Sequence, residues 1–427
     1  MFVLTLALHA RLLAVAPTFA PEEHFRLGEH LYATGVLSIG ERPGVFRPPG
    51  FPAFVALVLH ARDAVAPGLD AARAVALAHG LLLSLGAALV SLAFARRAAL
   101  RVALPAGALF ALHPLNVTIA RALTYSTLHI VVTALATLAL WWALDARRHR
   151  WAWALGAGLL WGAATLVRPV SLILPPFVLL LARWVFGRGS WGAALRFGGV
   201  FTAAMALVVA PYTARNYRAS GRLIVVNAQE GHQLWGLAAS EHPQGDIGEW
   251  MRLWRDQGYP LFQRATGRQV YTAEALYADT VVLNDTYRAE AVRLLRERPG
   301  RVLRNVLVNA FLWNADSMSF WIDDFRARDH RGGWGLAKPF TVLTLALGLV
   351  GLVAGLRARA TPARVVAAVY AMFWVAHSVG FLLARYNCAR LPLVLLALPL
   401  AFERARAGGV VLIALCALAA AIAALPL

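Results

Sequence analysis

Apolar runs, most of them long enough to cross a bilayer, recur along this chain and are parted by short breaks that carry arginine. Residues about 71 to 95, 102 to 118, 122 to 144, 152 to 167, 171 to 187, 194 to 212, 336 to 356, 365 to 384, 391 to 403 and 409 to 427 read this way; with the N-terminal stretch they make eleven candidate spans. Inside hydrocarbon every backbone N–H and C=O must be satisfied within the segment or in a closed barrel, and long runs without alternation satisfy them as helices. The expected fold class is therefore an all-α polytopic membrane protein.

Composition agrees. Of the 427 residues 59% are hydrophobic and 15% charged, with mean hydropathy +0.60, where a soluble domain has about 45–50% and 25%. The formal charge of +19 comes from 41 basic against 22 acidic residues, and Lys338 is the only lysine. The arginines form no continuous basic domain, which sets aside nucleic acid as a partner and makes membrane topology their first explanation. Cys388 and Cys416 lie in or beside apolar runs and offer neither a disulfide framework nor a zinc pair. The N-terminus, MFVLTLALHARLLAVAPTFA, competes as a cleaved signal peptide; it lacks a basic n-region, and His9 and Arg11 interrupt its apolar core, so it is read as the first membrane helix.

FPAFVALVLHAR, residues 51 to 62, is too short to cross a core of roughly 30 Å and reads as interfacial or re-entrant. The breaks holding Arg96, Arg97 and Arg101, then Arg147, Arg148 and Arg150, then Arg183, Arg188 and Arg196, then Arg357, Arg359 and Arg364, then Arg404 and Arg406 all fall on one side, which the positive-inside rule makes cytoplasmic. The division expected is an N-terminal membrane domain, 1–212, with an external loop at 20–70; an extracytoplasmic domain, 213–335; and C-terminal transmembrane helices, 336–427. The middle piece holds 14 of the 22 acids, which belong in water. Thr272 to Leu312 predicts two helices broken at Pro299-Gly300.

Six arginines then lie on the side the rule does not favour: Arg47, Arg121, Arg168, Arg215, Arg385 and Arg390. Any one can snorkel to head groups or pair with an external acid. Six facing one compartment suggest a phosphate or pyrophosphate lipid, because a guanidinium holds phosphate through two parallel bonds. Glu22-Glu23 stands where the first helix leaves the membrane, ahead of a helical HFRLGEHLYATG. An acidic pair there either favours the helix dipole or supplies a general base for an acceptor hydroxyl. RPPGFP, Arg47 to Pro52, predicts a rigid non-helical turn that holds Arg47. One histidine, His24, beside two adjacent glutamates makes no convincing metal set.

These stretches, with LVRP at Leu166 to Pro169, APYTARNY at Ala210 to Tyr217, EGHQLWGLA at Glu230 to Ala238 and ARYNCARLP at Ala384 to Pro392, resemble the bacterial membrane glycosyltransferases of the GT-C superfamily. The branch is the one related to protein O-mannosyltransferases and the lipid A aminoarabinose transferase. The resemblance implies a GT-C fold of many helices and an inverting transfer of sugar from a polyprenyl-phosphate donor. The acceptor is a hydroxyl on a protein, lipid or envelope glycan at the outer face of a bacterial inner membrane. The family's Asp-Glu pair matches Glu22-Glu23, with Glu22 the first choice of base and Glu23 the second. Donor phosphate would fall to Arg47, Arg168, Arg215, Arg385 and Arg390, and the substrate pocket to His24, Tyr212, Asn216 and Tyr386. No cofactor is predicted; a divalent metal stays open, since some GT-C enzymes use one and others do not. Two other classes compete. A transporter would want paired interrupted helices and a midplane carboxylate, neither of which is evident, and a non-catalytic lipid-binding assembly protein would keep the arginines without needing Glu22.

Overall fold

The computed structural model describes residues 2–15, 23–39, 44–146, 148–187, 190–241, 251–269, 278–315, 334–379, 389–402 and 408–424, and these are helical without any strand. Helix α1 is Phe2–Val15, α2 Glu23–Thr34, α3 Gly50–Val65, α4 Ala71–Ala95, α5 Leu100–Leu112, α6 Pro114–Arg121, α7 Tyr125–Asp145 and α8 Arg150–Val167. A 3₁₀ turn, Pro169–Ile173, leads into α9, Leu174–Phe186; α10 is Trp191–Ser220 and α11 Glu230–Ala239. The later helices are Tyr259–Thr266, Thr280–Glu297, Pro299–Ala315, Trp334–Arg357, Thr361–Ser378, Leu391–Ala397 and Gly408–Ala424.

Every expected span contains a helix, and Ala71–Ala95 has the predicted bounds. By length and composition six helices among the described residues can each cross a membrane: Ala71–Ala95, Leu100–Arg121, Tyr125–Asp145, Pro169–Phe186, Trp191–Ser220 and Leu336–Arg357. This is a multi-pass integral membrane protein. The pair expected at 272–312 is also present, Thr280–Glu297 and Pro299–Ala315, parted at Arg298 where proline opens the second helix.

The segment 51–62 lies within the 16-residue α3, whose Phe51, Val55 and Leu59, four apart on one face, pack with Phe25 of α2 and Val75 of α4. Three expectations need correction. The rigid turn at RPPGFP ends at Pro49, since Gly50, Phe51 and Pro52 already belong to α3; proline fits a first helical turn because the N–H it lacks would have no partner there. The span 102–118 breaks at His113, whose extended backbone is enforced by Pro114 and whose Nδ1 accepts from the Leu115 N–H at 3.3 Å. Finally, α10 does not stop near 212 but runs 30 residues through Pro211 to a left-handed Gly221.

Lipid tails are as apolar as leucine, so these helices cohere by close fit rather than by leaving water. Helix α8 carries Gly158 and Gly162, one turn apart, against α10. A Cβ at Gly162 would stand 2.9 Å from the Met205 carbonyl, and one at Gly158 2.6 Å from Ala204 Cβ. Only hydrogen at both positions lets the backbones approach this far. Beyond the spans, α11 packs on Thr280–Glu297 around buried Trp235, Phe262, Leu283 and Tyr287. Polar side chains lock that small body: Asn284 Oδ1 accepts from the Gly231 N–H at 2.9 Å, and Asn305 Nδ2 donates to the carbonyls of Leu237 and Ser240 at 2.8 and 2.9 Å.

Candidate active site

The site grows from one stretch of backbone. Four successive carbonyls, Gly44 to Arg47, are each taken by a donor from the far end of α10 or the chain just beyond it. Arg215 Nη1 donates to Gly44 at 2.5 Å, the Ala228 N–H to Val45 at 2.9 Å, Asn227 Nδ2 to Phe46 at 3.3 Å and the Tyr212 hydroxyl to Arg47 at 3.4 Å. Arg215 also reaches the Leu37 carbonyl at 3.3 Å and Asn216 Oδ1 at 3.0 Å. Fully buried Asn216 spends its amide hydrogens on Ile224 and Val226 at 3.1 and 2.9 Å. This explains why α10 runs past its apolar stretch: its polar last turns are the clamp for the loop.

What the clamp presents is Arg47. Its Nε and Nη2 donate to Glu23 Oε1 and Oε2 at 3.1 and 2.6 Å, a two-bond fork with side chains 22% and 30% exposed. One face of the guanidinium covers the Phe46 ring, 4.4 Å from its centroid. Below lie Leu27, Leu37 and Phe46, with Tyr212 packed against them. His24, next along α2, sets its ring 4.9 Å from that of Tyr125. Glu22, the other half of the acidic pair, lies outside the described residues, as do Arg385 and Tyr386.

A second cationic group adjoins the first. Pro169 forces Arg168 out of α8 into extended backbone, and its Nη2 lies 3.1 Å from His377 Nε2. The His377 ring stacks on Trp313 at 4.3 Å and 15°, and Arg390 lies over the same indole, 5.8 Å from its centroid. Arg168 and Arg390 are 9% and 2% exposed. The two groups meet through α3, whose first residue, Gly50, has room for no Cβ: one would stand 2.7 Å from the Val167 nitrogen, just before Arg168. Arg121 is buried at the end of α6.

The structure thus gathers Glu23, Arg47, Tyr212, Arg215 and Asn216 into one loop assembly and links Arg168 with Arg390 through Trp313 and His377. It divides their labour, too: the Arg215 fork is committed to carbonyls and Asn216 is sealed within the turn, while Arg47 keeps a partly open guanidinium. Sequence reasoning did not single out His232, Trp313 or His377. His232 sits in the first turn of α11 among the rings of Trp235, Trp254 and Tyr287, at 6.0, 5.8 and 5.0 Å. Burial, and then the positive charge of Arg47, push its pKa down to about 3. EGHQLWGLA contained it, but only a three-dimensional neighbourhood gives it meaning. Among the described residues no group of three His, Cys, Asp or Glu gathers as a metal set.

Many apolar helices, one small helical body beyond them and a loop clamped beside α2 make up this fold. Solved structures share it. The oligosaccharyltransferase AglB of Archaeoglobus fulgidus, in complex with an inhibitory peptide and a dolichol-phosphate, matches with TM-score 0.54 and 13% identity over 94% of this chain and 49% of that one. The Archaeoglobus fulgidus oligosaccharyltransferase tethered to an acceptor peptide matches with TM-score 0.50 and 14% identity over 99% and 55%. ArnT of Cupriavidus metallidurans, bound to undecaprenyl phosphate, matches with TM-score 0.44 and 16% identity over 91% and 77%. The chain spans about half the length of the oligosaccharyltransferases. At these identities the likeness to the two oligosaccharyltransferase structures establishes fold alone. No family model and no curated protein matches the sequence.

Proposed function

We propose that this protein is an inverting glycosyltransferase that moves a sugar from a polyprenyl-phosphate donor to an acceptor hydroxyl on a protein, lipid or envelope glycan. The division is 1–212, 213–335 and 336–427, with the middle piece and the loop at 20–70 on the outer face of a bacterial inner membrane. The observation that carries the reading is the Arg47–Glu23 fork: a cation shaped for phosphate, held rigidly against an acidic helix start beside the spans. That the AglB structure of the same fold holds a dolichol-phosphate and a peptide supports it.

In the reaction the acceptor oxygen attacks the anomeric carbon and passes its proton to Glu22. The bond from that carbon to the phosphate oxygen breaks, its electron pair staying on the phosphate. Arg47 stabilises the charge that develops there, an effect worth about 3 kcal/mol for a single well-placed donor. Arg168 and Arg390, with Arg385, extend the positive potential around the leaving group, while Arg215 acts through the loop it clamps. Tyr212 and His24 serve the substrate pocket, and Tyr386 takes the same role on the strength of its motif alone. The test is transfer of radiolabelled sugar from a polyprenyl-phosphate donor in proteoliposomes: activity in the wild type, lost in Arg47→Ala and Glu22→Gln, is expected, and an inactive wild type against a panel of such donors overturns the reading.

A further inference from the structure

The Arg47 fork that recommends it for phosphate is already filled by a carboxylate. Both Glu23 oxygens are bonded, and the edge they use, Nε with Nη2, is one of the two edges a guanidinium offers to a forked anion. Phe46 covers one face of the group, and the clamp of Tyr212, Asn227, Ala228 and Arg215 fixes the backbone that carries it. Arg47 therefore has little freedom to turn toward a newcomer, whereas Glu23, at the first turn of α2, has only its own side chain to move. Carboxylate and phosphate held together on one guanidinium would also repel each other at close range.

From this, and resting on the lipid-phosphate reading above, we infer that Glu23 is an internal stand-in for the donor phosphate, which displaces it from Arg47 when the lipid binds. The exchange gives Glu23 two roles in sequence. In the empty site it balances a partly buried cation and keeps Arg47 extended for its ligand. Once displaced, its carboxylate is released to the acceptor, where it orients the attacking hydroxyl. A carboxylate forked onto arginine is committed to that cation and badly placed to receive an acceptor, so the order follows: donor first, acceptor second. Glu23 is thus a positioning residue, and the exchange couples its release to the arrival of the phosphate.

The sign of one effect separates this from a plain scaffolding role. If Glu23 merely props Arg47, removing its charge weakens phosphate binding; if it competes, removal strengthens binding. Binding of undecaprenyl phosphate to purified protein in nanodiscs is measured for wild type, Glu23→Gln, Glu23→Asp and Arg47→Ala. Glu23→Gln is expected to bind roughly 1.5- to fivefold tighter, the range of a single partly exposed ion pair. Its turnover with a sugar-bearing lipid falls at the same time. Glu23→Asp, one methylene too short for the fork, falls between, and Arg47→Ala binds most weakly. Unchanged or weaker binding in Glu23→Gln, with Glu23→Asp no tighter than wild type, overturns the inference. A wild type that does not bind undecaprenyl phosphate refutes the lipid-phosphate reading itself, so the two failures are told apart.

Discussion

Arg168 and His377, 209 positions apart, meet side chain to side chain: Nη2 of the arginine lies 3.1 Å from Nε2 of the histidine. The other ring nitrogen, Nδ1, is 2.7 Å from the Phe373 carbonyl, which can only accept, so Nδ1 carries hydrogen and Nε2 offers the lone pair that Arg168 needs. A backbone carbonyl thereby sets the tautomer that steadies a cation of the site.

Replacing His377 by phenylalanine keeps a ring against Trp313 but removes the acceptor. A lowered Tm in detergent, with a loss of about 1–3 kcal/mol, is expected, and His377→Gln should recover part of it. Equal melting of wild type and His377→Phe would show that the bond contributes nothing.

Close helix approach makes a second prediction within one helix. Gly158→Ala and Gly162→Ala should destabilise by about 1–3 kcal/mol through overpacking against α10. At Gly156, in the same helix, an added Cβ would meet nothing within 4 Å, and alanine there should gain up to about 1 kcal/mol. Thermal unfolding of the three variants side by side checks the contrast.

Sidedness is read by single-cysteine labelling with Cys388 and Cys416 replaced by serine. Arg222→Cys, just past α10, should react with an impermeant maleimide added outside intact cells, and His149→Cys should react only after permeabilisation. The reverse pattern inverts the topology.

At the site, Arg47→Ala should weaken undecaprenyl phosphate binding more than Arg47→Lys, because lysine keeps charge but not the fork. Glu22→Gln should leave that binding close to wild type while abolishing turnover. Turnover retained in both Glu22→Gln and Glu23→Gln would rule out the proposed base.

His232 predicts an acid limb in stability. Its folded pKa of about 3 lies below the ordinary histidine value of 6.5, so between these values the unfolded chain binds the extra proton and stability falls as pH drops. His232→Phe should flatten the dependence between about pH 6.5 and 3. A wild-type Tm that does not fall over that window, or an equally steep fall in the variant, contradicts the assignment.

The membrane helices were legible because hydrocarbon demands continuous apolar runs, and Ala71–Ala95 shows how sharply turn residues bound them. The errors arose where two signals disagree. Thr213 to Ser220 leaves the hydropathy pattern yet stays helical, with Arg215 bonding a loop 171 or more positions earlier; hydropathy cannot register such distant partners. Pro114 did mark a break, but flanking apolar residues hid it. Glu23 and Arg47 were each conspicuous, and their pairing was not, since nothing along the chain measures a distance between them. Trp313 and His377 had no sequence signal: an aromatic and a histidine in apolar surroundings look like ordinary core.

The clamp on Gly44 to Arg47 has a consequence for biogenesis. Its side-chain donors lie 165 to 181 positions downstream, so the loop acquires its shape only after those residues have left the ribosome. At roughly 5–20 residues per second this is a delay on the order of ten to thirty seconds after Arg47 is made. Throughout that interval the loop stays unclamped, and a chain halted before Tyr212 would lack all four of its donors. Completion of α10 is in this sense the maturation step of the site.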